Sequence, residues 1–144
     1  MMHNSATSML VTTAFSPSAR ATAADQDSSA IDTNGFQELI ISADVGVVST
    51  SVAIKIRDSA DNSTYADLTG AAFTTFTAAG VQYARIKLGT YTGTAALTDK
   101  CERYIKVRYT SVGAGNSNFG VYVIGLNYAQ AAAFTAQTLV FNLD

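Results

Sequence analysis

Residues 52–57, Val-Ala-Ile-Lys-Ile-Arg, alternate apolar and polar-leaning side chains without a break, and residues 103–109, Arg-Tyr-Ile-Lys-Val-Arg-Tyr, repeat the pattern. Successive side chains of an extended chain point to opposite faces. Val52, Ile54 and Ile56 therefore share one side of a strand, and Ile105, Val107 and Tyr109 share one side of another. Residues 83–88, Tyr-Ala-Arg-Ile-Lys-Leu, turn Ala84, Ile86 and Leu88 inward in the same way. Residues 119–126, Phe-Gly-Val-Tyr-Val-Ile-Gly-Leu, are apolar on both sides and read as a central strand.

Working outward, Asp32-Thr33-Asn34-Gly35 is a turn that launches a strand over Phe36 to Ala43. Asp58 to Ser63 is a polar turn followed by Tyr65 to Leu68. Ala72 to Phe76 is a short strand candidate, and Gly113 to Asn118 is a hairpin loop. Residues 6–15 read as extended and should stop at Pro17, which lacks the N–H that a ladder needs. Residues 18–30 are small and polar, as in a linker. Alanine-rich residues 129–134 are the one helical window, and residues 138–144 suggest a last strand. The expected fold is all-β, an antiparallel β-sandwich of jelly-roll type. The expected division is an N-terminal arm and linker over 1–29, the sandwich over 30–128 and a C-terminal extension over 129–144.

Composition narrows the function. Only 14% of the 144 residues are charged, against roughly 25% in ordinary soluble domains. Ala, Thr and Ser number 24, 18 and 13. A surface so poor in charge suggests one partly covered by other chains. One Cys and one His exclude a disulfide framework and make a structural zinc site implausible. The net charge of -2 gives no basis for nucleic-acid binding, and no stretch of about 20 apolar residues exists to span a bilayer. Met9-Leu10-Val11 has no preceding Lys or Arg and is broken by Thr12-Thr13, so a cleaved signal is not expected.

Chemistry finds little support. His3 stands in the N-terminal arm, away from any Ser-His-Asp arrangement. Cys101 lies between Lys100 and Arg103, which could lower its pKa, but no base partners it. Glu38 and Glu102 are not placed as an acid–base pair. Asp58, Asp61 and Asn62 lack the spacing, glycine and bidentate Glu of an EF-hand loop, so an Asx-held turn is preferred to calcium. No catalytic residue, metal ligand or cofactor is expected, and no enzyme. The tyrosines Tyr83, Tyr91, Tyr104, Tyr109, Tyr122 and Tyr128 could make a sugar platform, although packing is the commoner use of strand aromatics.

Three strands carry two bases about an apolar residue: Lys55-Ile56-Arg57, Arg85-Ile86-Lys87 and Lys106-Val107-Arg108. Each pair faces away from its core side chain. These six residues are either a solvated outer face or a docking patch for an acidic partner. In the N-terminal arm, Met9, Leu10, Val11 and Phe15 are the expected contacts for strand addition to a neighbouring subunit.

Several pieces, taken in order, carry a family likeness. They are residues 30–36 (Ala-Ile-Asp-Thr-Asn-Gly-Phe), Val45-Gly46-Val47, residues 56–68 (Ile-Arg-Asp-Ser-Ala-Asp-Asn-Ser-Thr-Tyr-Ala-Asp-Leu) and residues 103–107 (Arg-Tyr-Ile-Lys-Val). Together they resemble small structural proteins encoded in tailed-bacteriophage and prophage morphogenesis clusters, near the major capsid gene. The resemblance runs over residues 30–128 and leaves both ends outside it. It implies a capsid-decorating (cement) protein or head-fibre base with a β-sandwich fold, often trimeric. The partners it implies are the major capsid protein and further copies of the same chain, with neither nucleic acid nor membrane, and the location is the virion surface. A fibre module that binds a host glycan and a head–tail connector or tail-tube subunit are the alternatives.

Overall fold

The computed structural model describes residues 8–36, 38–88 and 101–127. Within them every regular element is a strand: β1 (Ser8–Arg20), β2 (Ala23–Asp27), β3 (Ile31–Asp32), β4 (Glu38–Val47), β5 (Ser51–Ser59), β6 (Ala66–Ala72), β7 (Gly80–Lys87), β8 (Tyr104–Val112) and β9 (Ser117–Asn127). One sheet has the order β1-β9-β4-β7 and the other β2-β8-β5-β6, with β3 also on β8. Every pairing is antiparallel. Setting β3 aside, eight strands pair first with last, second with seventh, third with sixth and fourth with fifth. This is one long folded ribbon, and rolling it up adds β9 to β4 and β8 to β5. The result is a jelly roll, an antiparallel β-sandwich.

Period-two alternation builds the core. Leu39, Ile41, Ala43 and Val45 of β4 meet Val52, Ile54 and Ile56 of β5, with Ile105, Val107, Val121 and Val123 beside them, all almost fully buried. Phe15, Tyr109 and Phe119 join the two layers edge to face, with ring centroids 5.0 Å apart for Phe15–Tyr109 and 4.8 Å for Tyr109–Phe119. The Arg20 guanidinium stands over all three rings, 5.1 Å from Phe15, 5.8 Å from Tyr109 and 5.4 Å from Phe119. Such cation–π contacts tie the end of β1 to both sheets.

The N-terminus departs most from expectation. Residues 8–27 are not an arm and linker but two strands of the sandwich itself. β1 pairs with β9, and β2 pairs with β8. Pro17 does not stop β1. It sits on a sheet edge, at a register shift between Phe15 and Ser18, where a missing N–H breaks no ladder. Its ring rests on Gly120, and a Cβ there would lie 2.9 Å from the ring. The glycine in an otherwise apolar strand is what lets the proline through. Gly125 serves Phe36 in the same way, with its would-be Cβ 2.9 Å from the ring. Strand β6 ends at Ala72, and the expected strand over 72–76 is reduced to the Phe73 N–H donating to Ile54 O and an isolated bridge from Phe76 to Val52. The helical window at 129–134 and the strand at 138–144 lie outside the described residues.

Candidate functional site

The two sheets present unlike outer faces, and the six bases do not share one of them. Lys55 and Arg57 of β5 and Lys106 and Arg108 of β8 stand on the outside of the β2-β8-β5-β6 sheet. Arg85 and Lys87 of β7 belong to the other sheet. Each triplet obeys strand periodicity, but jelly-roll winding sends β7 to the opposite layer.

On the first face, bases occupy the two central strands and carboxylates the flanking ones. Lys55 reaches Asp67 at 2.7 Å, and Arg57 reaches Asp67 at 3.2 Å and Asp27 at 3.0 Å. Arg108 binds Asp27 at 2.5 Å and Asp25 at 2.9 Å. Thr110 donates to Asp25 at 2.5 Å, and the Lys106 ammonium lies 4.3 Å from the centre of the Tyr65 ring. The bases are thus largely matched within the chain. Hydrogen bonding from Arg108, with the charges of Arg108 and Arg57, holds Asp27 below the usual carboxylate range. Lys55 does the same to Asp67, and the Thr110 hydroxyl, ahead of Arg108, does it to Asp25.

A carboxyl whose pKa is depressed by folding stabilises the fold above its unfolded value, and that share fades as pH falls through the folded value. For Asp27 and Asp67 the loss falls below about pH 4, where an unfolded Asp titrates. The side chains of these pairs are 17–55% exposed and in contact with solvent, which screens them, so each contributes about 1 kcal/mol or less. Melting temperature is expected to decline below pH 4, and Asp27→Asn should melt lower than wild type at pH 7 while losing less on acidification. Thermal melts of both proteins from pH 7 to pH 2 check this, and identical slopes would contradict it.

The face of the β1-β9-β4-β7 sheet is different. Its cross-strand rows are Met9–Leu126–Glu38–Lys87, then Val11–Ile124–Ile40–Arg85, then Thr13–Tyr122–Ser42–Tyr83. Met9, Val11 and Tyr83 are 63%, 59% and 60% exposed. Ile40, Tyr122, Ile124 and Leu126 are half-buried. Glu38 is buried in the first row and accepts two hydrogen bonds from Arg85, one of them at 2.9 Å. The face is therefore apolar over the first half of β1, over Ile124 and Leu126 of β9 and at Ile40 of β4, with Glu38, Ser42 and the exposed Asp44 as the polar residues of β4 and bases at the β7 margin. The lack of alternation in β9 is what hides it from a sequence reading, because a strand apolar on both sides looks merely central.

The remaining candidates are dispersed. Phe15 of the expected arm contacts is in the core, Leu10 packs against it, and Met9 and Val11 face outward. Tyr109 is buried between the sheets. Tyr104 lies under Arg103, 5.0 Å from its guanidinium carbon, and only Tyr83 and Tyr122 share a row. Tyr91, Tyr128 and His3 lie outside the described residues. Arg103 does not activate Cys101: burial, then the nearby Asp58 and Glu102 carboxylates, push its thiol up to about 12. Lys100 lies outside the described residues. Asp58 is buried and accepts the Glu102 N–H at 2.9 Å. Asp61 instead collects the N–H groups of Ser63 and Thr64 at 2.9 and 3.0 Å, with Asn62 at φ 59°. The Asp-rich run is an Asx-held turn whose carboxylates diverge. Among the described residues no three of His, Cys, Asp and Glu gather as metal ligands would.

No family model and no curated protein matches the chain. Among solved structures, the PBSX exported protein XepA is similar at a TM-score of 0.59 and 14% identity, over 94% of this chain and 43% of that one. The SPBc2 prophage-derived protein YomS is similar at a TM-score of 0.53 and 15% identity, over 83% of this chain and 94% of that one. The chain thus spans less than half the length of XepA and matches nearly the whole of YomS. At these identities the likeness is one of fold: the two proteins share this antiparallel β-sandwich.

Proposed function

We propose that the chain is a structural subunit of a phage virion that binds the outside of the assembled capsid as a cement protein. The outer face of the β1-β9-β4-β7 sheet docks on the major capsid protein. The observation that carries this reading is the apolar patch formed by Met9 and Val11, both more than half exposed, with the half-buried Leu126, Ile124 and Ile40 beside them. Contiguous exposed apolar surface marks an interaction site, whereas the opposite face has its charges matched internally. The prophage origin of YomS, whose chain is matched over nearly its whole length, supports the setting. Jelly rolls serve viral capsid and lectin domains alike, so the fold by itself selects neither. A protein that binds only the assembled shell stabilises it by mass action and needs no chemistry.

Co-sedimentation with purified capsids lacking the chain tests the proposal. Wild type should saturate at a fixed copy number per capsid. Val11→Asp, placing a charge on an exposed position, should weaken binding at least about tenfold, or ~1.4 kcal/mol, with its melting temperature kept. Lys55→Ala should bind as wild type. Loss on Lys55→Ala with Val11→Asp unaffected transfers docking to the basic face, and no binding by wild type removes the cement reading. A second reading, a fibre module for a host glycan, is favoured by the row Tyr122–Ser42–Tyr83, where two rings flank a hydroxyl. Saturable glycan-array binding abolished by Tyr83→Ala would support it.

A further inference from the structure

Each sheet has two edges, and three of the four are guarded by charge. β2 carries Asp25 and Asp27, β6 carries Asp67, and β7 carries Arg85 and Lys87. Charged side chains on an edge strand oppose pairing with another chain, because pairing desolvates them or sets like charges opposite. β1 has no charged residue from Ser8 to Ala19. Its second half is protected by Pro17 and by the register shifts about Phe15 and Ser18. Its first half, Ser8 to Thr13, runs in unbroken register with β9. Among the described residues no strand pairs with the other edge of this segment.

We propose that this free edge, Ser8 to Thr13, pairs antiparallel with the same segment of a second copy of the chain, about a two-fold axis perpendicular to the sheet. Self-complementarity selects this occupant. An uncharged strand meets its own copy without repulsion, and the antiparallel arrangement returns Met9 and Val11 to the same outer face. The rows that end at Met9 and Val11, both more than half exposed, then continue into the rows of the second copy, and two four-stranded sheets become one of eight. Backbone hydrogen bonds supply the register and the apolar pair supplies the burial. An edge of this length buries less than the ~1,200 Å² of a standard stable complex, so the pairing is reversible and depends on concentration. It stands whether or not a capsid is the partner, and it places the apolar faces of both copies on one side.

Sedimentation equilibrium of the full chain, without capsid, tests it. The weight-average mass should rise from 15.1 kDa towards twice that value with concentration. Met9→Lys with Val11→Lys should hold it at the monomer, whereas Val81→Lys on the β7 edge should associate as wild type does. Hydrogen exchange of wild type gives a readout free of substitutions: amides of Ser8 to Thr13 should gain protection with concentration and those of β7 should not. A chain monomeric at every concentration, a trimer, or a dimer that the two lysines leave intact overturns the proposal, as does exchange in Ser8 to Thr13 that ignores concentration.

Discussion

Phe119→Ala is expected to cost about 3–5 kcal/mol, the range for removing a buried aromatic ring. Phe119 is 2% exposed and belongs to β9, but its ring lies edge-on to Tyr109 of the other sheet at 4.8 Å and to Phe15 of β1 at 6.4 Å. It also forms part of the aromatic floor beneath the Arg20 guanidinium. Truncation would leave a cavity where three strands from two layers meet, and rigid strands on both sides resist collapse into it. Against a total stability of about 5–15 kcal/mol, this is a large share. Urea denaturation should show a lowered midpoint with an unchanged slope. Tyr83→Ala, at an exposed ring, should stay within about 0.5 kcal/mol of wild type. Equal effects at the two positions would contradict the placement of the joint between the sheets.

Gly113→Val should be comparably damaging for a different reason. Gly113 begins the β8–β9 turn at φ +135°, a conformation that side chains with a Cβ rarely adopt. Strain of this kind costs about 1–3 kcal/mol. An added Cβ would also lie 2.2 Å from Ser49 Oγ and 2.9 Å from the Thr50 nitrogen. Ser49 Oγ accepts the Gly115 N–H at 2.9 Å, and Thr50 N donates to Val112 O at 3.0 Å, so neither neighbour can give way without breaking a bond. Overpacking adds about 1–3 kcal/mol. The double variant with Ser49→Gly should recover only the side-chain part, because the backbone strain and the Thr50 contact persist. Full recovery of the melting midpoint would show that φ carries no cost here.

Both residues show where the sequence was legible and where it was not. Alternation over 52–57 and 105–109 located β5 and β8 and their inward faces, because one buried and one solvated side leave a period-two signature. The same signal failed in residues 18–30. β2 there is small and polar since its Asp residues face outward as partners for Arg108 and Arg57, and nothing local announces those partners. Pro17 misled because its cost depends on whether its side of the strand faces a neighbour, and only the sheet order decides that. The grouping of six bases failed one level higher. Each triplet was read correctly, yet which sheet receives β7 is a property of the jelly-roll winding, set by pairings between strands far apart in sequence. Gly120 and Gly125 stand within an apolar run, but Pro17 and Phe36, the side chains that fill the space above them, come from parts of the chain distant in sequence.

The apolar outer face follows from the same logic. β9 looked like a central strand apolar on both sides, and with β4 it is central within its sheet, but the outer face of the two strands has no second layer over it among the described residues. That face, more than the scarcity of charge, is what supports the proposed docking. The most direct test of the proposed docking is a cryo-electron microscopy reconstruction of phage capsids incubated with the chain. The sandwich should stand on the outer shell with Met9, Val11, Ile40, Ile124 and Leu126 turned onto the major capsid protein. Density that contacts the shell through Lys55, Arg57, Lys106 and Arg108 instead, or a shell without this sandwich, would contradict the account.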